Sequence, residues 1–229
     1  MNGILLVDKP KGLTSHDVVF KIRKKFKLKK VGHGGTLDPL ATGLLLILIG
    51  KATKQSNNFT QAKKGYNFDC RLGLSTDTDD AEGRVIKIAD FHQLSNDEIK
   101  KAVMSFKGEV SQEVPRYSAV KVNGKKLYEL ARQGKKVRLP KRKVHIYDLK
   151  VKRINPPLIS LEIMCSKGTY IRSICRDLGK KLGCGGITSK LKRTYIEPYD
   201  IREAYKLDII EGMSKKELEK ALIKTDENI

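Results

Sequence analysis

The chain has 229 residues, 39% of them hydrophobic, and its 47 Lys and Arg against 26 Asp and Glu give a formal net charge of +21 with His neutral. That length and apolar content support a packed core without metal or disulfide staples and exclude disorder as the main state. The charge excess points to a polyanionic partner, while the longest apolar run, residues 44–49, falls far short of the roughly eighteen residues that span a bilayer.

The opening MNGILLVDKPKG places an acid and lysines where a secretory leader would have to stay apolar, so a cytoplasmic setting is expected. Residues 3–7 predict a strand, stopped by Lys9-Pro10-Lys11-Gly12. Thr14 and Asp17 form a near capping box ahead of SHDVVFKIRKKF, where Val19, Ile22 and Phe26 recur at helical spacing. Seven of the ten residues from Lys21 to Lys30 are basic, which makes either a solvated face or a grip on phosphates. The segment VGHGGTLDPLATG, residues 31–43, reads as a loop punctuated by Gly and Pro, ending against the buried strand LLLILI. Tyr66, Phe68, Cys70 and Leu72 alternate as in a half-buried strand, and the acidic turn STDTDDAEG leads to the short strand VIKI.

Ser95 and Glu98 cap a helix with Ile99, Ala102, Val103 and Phe106 on one face. Residues 114–143 read as a basic insertion holding one short helix, KLYELARQG, followed by KKVRLPKRK as an exposed excursion. HIYDLKV and LISLEIM are strands, and GTYIRSICRDLGKKLG is a helix that buries Ile171, Ile174, Cys175 and Leu178 and leaves its arginines on other faces. Two further helices are expected over 200–210 and 214–223. The fold class is α+β, or mixed α/β.

Several chemistries find no support. Gly32-His33-Gly34-Gly35 lacks the third glycine of a dinucleotide loop, Asp77 to Ala81 fails a calcium loop at Ala81, and no phosphate loop of the G-x-x-x-x-G-K-[ST] kind occurs. Cys70, Cys165, Cys175 and Cys184 contain no C-x-x-C pair, so they are expected reduced and buried, with no metal and no cofactor. No helix-turn-helix or finger spacing supports DNA binding. Asp38 is the conspicuous candidate: a carboxylate between Leu37 and Pro39, immediately before the most apolar strand, needs a partner if it is ionised. It is either a turn aspartate or a catalytic one. His33 can fill a turn, and Tyr66 can pack or offer a platform to a nucleobase. Tyr170 and Arg172 stand two apart at a helix start, where an arginine can meet an acid from elsewhere.

GHGGTLDPLATGLLLILIGKATK, residues 32–54, resembles the signature of the TruB-type tRNA pseudouridine synthases. Further blocks match in order: ILLVDKPKGLTSHDVV, Tyr66 with RLGLSTDTDDAEG, YSAVKVNGKKLYELARQG, CSKGTYIRSICRDLG and the late LKRT, so that the resemblance runs from about residue 3 to 200. It implies a catalytic domain over 1–200 built on a mixed, mainly antiparallel sheet flanked by helices, with a basic RNA-gripping insertion near 114–143. By resemblance Asp38 is the catalytic aspartate, Tyr66 the ring that stacks on the target uracil, Asp80 an acid that orders the tyrosine region, and Arg172 the arginine that pairs with the catalytic carboxylate. Tyr170 and Leu191 line the uridine pocket, and His33 enters the space left by the extruded nucleotide. Lys21, Arg23, Lys24, Lys25, Lys135, Lys136 and Lys141, in the two densest basic stretches, are the expected RNA backbone contacts.

The implied activity is conversion of the T-loop uridine conventionally numbered 55 in tRNA, without cofactor or metal, by a monomer with no obligate protein partner. A silent tRNA-binding or tRNA-folding module of the same fold is the alternative. Two departures stand out. The family usually has Thr where this chain has Gly34, which is expected to loosen the loop and alter RNA fit. Many bacterial members continue into a PUA-type domain, and the 229 − 200 = 29 residues after Asp200 are expected to form only a short helical extension, 201–229.

Overall fold

The computed structural model describes residues 1–135 and 137–224. In chain order the elements are β1 (Gly3–Lys9), α1 (Ser15–Phe26), β2 (Val31–His33), β3 (Thr42–Ile49), a 3-10 segment (Gly50–Gln55), α2 (Ser56–Gln61), β4 (Lys64–Leu72), β5 (Leu74–Thr76) and β6 (Val85–Ile88). They continue with α3 (Asn96–Met104), β7 (Gly108–Glu113), β8 (Lys121–Val122), β9 (Lys125–Lys126), α4 (Leu127–Arg132), β10 (Lys141–Asn155), β11 (Leu158–Cys165) and α5 (Ile171–Lys181). Last come β12 (Gly186–Ile196), β13 (Tyr199–Asp200), a 3-10 turn (Ile201–Glu203), β14 (Tyr205–Lys206), α6 (Leu207–Gly212) and α7 (Lys215–Ala221). The chain divides into two compact units, residues 1–66 with 192–229 and residues 67–191. No helix among the described residues is long and apolar enough to cross a membrane.

In the first unit the strand order is β14-β1-β3-β12, a mixed arrangement in which β1 runs antiparallel to β3 while β14 and β12 add in parallel. Seven consecutive residues of β3, Gly43 to Ile49, are buried, which is why this strand reads as a continuous apolar run and not as an alternation. Leu44, Leu46 and Leu48 pack with Ile4, Leu6 and Ile196. Helix α1 starts where Thr14 Oγ1 accepts from the Asp17 N–H at 3.0 Å and Asp17 Oδ2 accepts from the Thr14 N–H at 2.8 Å. Such a cap contributes about 1 kcal/mol. Burial of Val18, Val19, Ile22 and Phe26 contributes about 1.5–3 kcal/mol each, so packing and not the cap decides that the helix stays.

The second unit orders β4-β11-β10-β7, with β10 antiparallel to both its neighbours. Helix α3 carries the expected Ser95–Glu98 capping box and buries Ile99, Ala102 and Val103. Helix α5 packs against Gly185 and Gly186 so closely that a Cβ on Gly179 would lie 2.1 Å from Gly186 N. All four cysteines are free thiols and buried.

Four sequence expectations need correction. Residues 31–33 are not loop: they pair antiparallel with β3, Val31 opposite Ile49 and His33 opposite Ile47, because β12 pairs only with Thr42 and Gly43 and leaves the backbone at the other end of β3 to be paired, which pattern reading cannot see. Residues 200–210 are not one helix. Asp200 caps a 3-10 turn, Tyr205–Lys206 pairs with β1, and only Leu207–Gly212 is α-helical. The end of the basic stretch is exposed as expected but is no excursion, since Lys141 to Lys143 open the fifteen-residue strand β10 and pair with β7. Finally, Gly34 tightens its loop and does not loosen it. Its N–H donates to Leu46 O at 2.9 Å, and a Cβ there would stand 2.9 Å from Phe59 Cβ and 3.2 Å from Leu46 Cβ.

A Gly34→Thr substitution therefore forces a shift of α2 or β3 and is expected to destabilise the fold by about 1–3 kcal/mol. Urea denaturation checks this; equal midpoints for parent and variant would show that the Phe59 contact yields at no cost.

Candidate active site

Asp38 lies half-buried in the loop 34–41, with Leu37, Leu40 and Ala41 buried around it. Three anchors immobilise this loop. Ser15, at the start of α1, accepts the Leu37 N–H at 2.8 Å and donates from its hydroxyl to Leu37 O at 3.3 Å. The Gly12 N–H donates to Pro39 O at 2.9 Å, and the Ala41 N–H closes a turn on Asp38 O at 3.0 Å. Gly12 is presented for that bond by the turn after β1, where buried Lys9 donates to Pro10 O at 2.9 Å and Leu13 O at 2.6 Å.

The third anchor is Arg193, a residue 1% exposed on β12. Its Nε donates to Leu44 O at 2.8 Å, Nη1 to Thr36 O at 3.2 Å and Nη2 to Gly35 O at 3.1 Å. One planar fork thus spans both sides of the Asp38 turn, which a lysine could not do. The guanidinium also meets the Tyr66 hydroxyl and the charge of Asp38. Burial draws its pKa below the usual arginine value, and Tyr66 and Asp38 oppose that pull. Arginine can come this close because Gly43, at φ +100°, pairs with Arg193 where a Cβ would lie 2.2 Å from Arg193 O. Beside it, buried Lys64 donates to Phe59 O, Thr60 O and Ala62 O at 2.9–3.0 Å and so closes the C-terminal end of α2.

His33 ends β2 with its Nδ1 accepting the Gly35 N–H at 3.3 Å. Burial first, then the charges of Arg193 and His16, holds its pKa below the ordinary histidine value. The ring is thus a neutral imidazole at neutral pH, with its proton on Nε2.

The second unit holds a separate polar constellation. Arg172 is buried, contrary to the expectation that the arginines of α5 point away from the core; polar neighbours supply what a helical wheel cannot show. Its Nη1 donates to Thr78 O and Nη2 to Tyr117 O, both at 3.1 Å, and Nε lies 3.9 Å from Asp80 Oδ2. Asp80 in turn accepts from Thr78 Oγ1 at 2.6 Å and from the Glu82 N–H at 3.1 Å. Tyr170 is locked by a reciprocal pair with buried Gln112, N–H to Oε1 at 2.8 Å and Nε2 to O at 3.1 Å, and the Arg142 guanidinium stands 5.7 Å from its ring centroid. Leu191 is half-buried on β12. Asp38, His33 and Tyr66 thus belong to the first unit, and Asp80, Tyr170, Arg172 and Leu191 to the second.

Among the expected phosphate contacts, Lys21 is tied to Glu211 at 2.8 Å, Arg23 lies over the Phe20 ring, and Lys24, Lys25, Lys135 and Lys141 are exposed. Lys136 lies outside the described residues. Sequence reasoning missed Arg193, Gln112 and Arg142. Arg193 lies in the LKRT block, where the resemblance assigns a role to Leu191 and none to the arginine, and no local pattern marks it as buried. Among the described residues, no cluster of three or more His, Cys, Asp or Glu side chains could hold a metal ion.

Comparison with known proteins gives a consistent picture. The model of the TruB family pseudouridylate synthase N-terminal domain matches residues 23–171, and that of the tRNA pseudouridylate synthase B C-terminal domain matches residues 172–226. The tRNA pseudouridine synthase B of Syntrophotalea carbinolica is 44% identical over 223 residues, 97% of this chain and 73% of the relative. That of Opitutus terrae is 42% identical over 223 residues, 97% of this chain and 92% of the relative. Among solved structures, a chain of a Cbf5-Nop10-Gar1 complex superposes with a TM-score of 0.74 at 28% identity, over 96% of this chain and 59% of that one.

One titration is legible in the site. Asp79 takes a left-handed backbone, φ 63°, and binds Arg176 at 3.1 Å, yet burial raises its carboxyl from 3.8 to about 6, outweighing the arginine. A raised folded-state pKa contributes stability below about pH 4 that is lost as pH rises through about 6. Asp79→Asn, which keeps the backbone preference and cannot titrate, is expected to gain stability relative to the parent between pH 4 and 7. Denaturation midpoints that stay parallel across that range would contradict the assignment.

Proposed function

The chain belongs to the TruB family of pseudouridylate synthases and is an isomerase, and we propose that it converts the T-loop uridine of tRNA conventionally numbered 55 to pseudouridine, with Asp38 as the catalytic group. The observation that carries this reading is the convergence of Asp38 and Tyr66 on the buried guanidinium of Arg193, in a loop clamped on both sides. A carboxylate held this firmly and left half-exposed is suited to react with a nucleotide brought to it.

The reaction breaks the bond from ribose to N1, turns the uracil and joins ribose to C5, the C5 proton leaving as N1 gains one. Nothing is oxidised or hydrolysed. Asp38 serves either as nucleophile or as base in the first step. The target base has to leave its stack, which costs a few kcal/mol in a duplex and less in a loop. Tyr66 repays part of that by stacking, and the lowered pKa of His33 suits the space the nucleotide vacates, because an uncharged imidazole enters a stacked site at less desolvation cost than an imidazolium. Arg172 is the counter-charge that the family resemblance pairs with the catalytic carboxylate, Asp80 supports it, and Tyr170 and Leu191 shape the pocket. Lys21, Arg23, Lys24, Lys25, Lys135, Lys136 and Lys141 contribute phosphate attraction, which positions the RNA and does not read it.

The test is to incubate unmodified tRNA with the protein and map pseudouridine by carbodiimide primer extension. The parent is expected to give product at that uridine, and Asp38→Asn none above background while its RNA affinity stays within about threefold. No product from the parent at saturating protein would favour a silent tRNA binder, and product from Asp38→Asn within tenfold of the parent would remove Asp38 from the chemistry. Tyr66→Leu, which keeps bulk but loses the aromatic face, is expected to cost about 1–3 kcal/mol in transition-state stabilisation, read from single-turnover rates. Full activity in that variant would exclude stacking.

A further inference from the structure

Helix α5 begins on Tyr170, an aromatic residue at a position that ordinarily takes Ser, Thr, Asp or Asn, and its side chain makes no cap hydrogen bond. The support comes from strand β7 of the same unit. In a capping box the third residue of the helix accepts the N–H of the cap residue. Here Gln112 Oε1 accepts the Tyr170 N–H at 2.8 Å, and the third residue, Ser173, instead donates its hydroxyl to Glu113 O at 2.8 Å. Gln112 Nε2 donates to Tyr170 O at 3.1 Å. Gln112 is 0% exposed, where a side-chain amide is costly unless both its ends are used, and both are used on one residue.

Arg142 is the register partner of Gln112 across β7 and β10, so the two side chains leave the same face of the sheet. Its guanidinium stands over the Tyr170 ring, 5.7 Å from the centroid and within cation–π range. Among the described residues it has no carboxylate or carbonyl partner, so the aromatic face is what holds it. Gly168, at φ +74°, leaves room for the approach, since a Cβ there would crowd Arg142 Nη1 at 3.1 Å. The turn that carries Gly168 is tied to β10 as well: the His145 N–H donates to Ser166 Oγ at 2.9 Å and the Ser166 N–H to His145 O at 2.8 Å.

A helix start can be held more simply. A serine at position 170 would cap α5 from within, an apolar residue at position 112 would fill the same space without a desolvated amide, and Arg142 would then have no ring to face. Instead both members of one cross-strand pair are committed to one tyrosine, Gln112 to its peptide groups and Arg142 to its ring. What this arrangement preserves is the aromatic side chain and its orientation.

We propose that Gln112 and Arg142 are positioning residues for the isomerisation, which fix the backbone and one ring face of Tyr170 so that the other face meets the uridine in a single orientation. The proposal rests on the reading above, in which Tyr170 shapes the uridine pocket. A tyrosine ring turns about two torsions, and with its backbone held and one face covered both are restricted before substrate arrives. In this role neither residue touches the reacting atoms. Loss of either misplaces the ring, which lowers the rate of the chemical step more than the affinity for RNA.

The experiment measures single-turnover conversion and equilibrium binding of full-length unmodified tRNA. The proteins are the parent, Arg142→Met, Arg142→Lys, Gln112→Glu, Tyr170→Leu and the double variant of Arg142→Met with Tyr170→Leu. Arg142→Met keeps length but loses plane and charge, and is expected to slow conversion about tenfold while affinity stays within about threefold. Arg142→Lys should recover only part of that rate, because an ammonium has no planar face to lay on the ring. Gln112→Glu keeps the acceptor for the Tyr170 N–H but loses the donor to its carbonyl, and is expected to slow conversion by a similar factor. If that buried change prevents folding, the variants of Arg142, a half-buried side chain, decide the matter. In the Tyr170→Leu background, Arg142→Met should change the rate by less than about twofold, which an arginine acting on its own would not show. A tenfold loss that persists in that background would overturn the proposal, as would an affinity loss as large as the rate loss or a parental rate in Arg142→Met. Absence of product from the parent would remove the catalytic reading and this role together, whereas an active parent with an unaffected Arg142→Met would remove this role alone.

Discussion

The first unit depends on one buried cation. Arg193 sits 1% exposed on β12 and donates to three backbone carbonyls, two of them in the loop that presents Asp38. A guanidinium taken out of water is costly unless every donor is used and opposite charge is near. Here the carbonyls of Gly35, Thr36 and Leu44 take the hydrogen bonds, and Tyr66 and Asp38 supply the balancing electrostatics. The same contacts that make Arg193 tolerable fix the loop that presents Asp38, so stability and positioning cannot be separated at this residue. Gly43 is part of the same constraint, because only a residue without Cβ lets β3 approach Arg193 so closely.

This arrangement explains how a loop of glycines and a proline can be rigid. Ser15 ties Leu37 to the start of α1, Gly12 ties Pro39 to the turn after β1, and Gly34 is packed under Phe59. Each anchor comes from a different part of the chain, which leaves few ways for the loop to move as a body. In the proposed role, Asp38 held this way needs little reorganisation when substrate arrives, and misplacement of a reacting group by about 1 Å can cost on the order of a hundredfold in rate.

Much of this was legible in the amino-acid sequence, and the failures have physical causes. Periodicity located β1, α1, β3, β4 and α3 because each hides one face or is wholly buried, and the capping pairs Thr14–Asp17 and Ser95–Glu98 marked their helix starts. It failed at Val31–His33, whose strand character comes from a partner edge, and at residues 200–210, where the apolar residues serve a 3-10 turn, a bridge to β1 and a short helix in succession. The resemblance brought Asp38 and Tyr66 into view as a pair, but Arg193 escaped. Composition makes a cation in this chain look like surface, and nothing local announces that Lys9, Lys64, Arg172 and Arg193 are buried. Burial of a charge is a property of the fold, and only its partners reveal it.

The central claim is that Arg193 positions Asp38 and Tyr66 for the reaction and does not merely hold the fold. Single-turnover conversion of the tRNA uridine and equilibrium tRNA binding, measured together for the parent and Arg193→Lys, test it most directly. The lysine keeps the charge but cannot reach Gly35 O, Thr36 O and Leu44 O at once. The account expects a folded variant whose rate falls about a hundredfold or more while its affinity changes less than about threefold. A folded Arg193→Lys protein that converts uridine within twofold of the parent would contradict it.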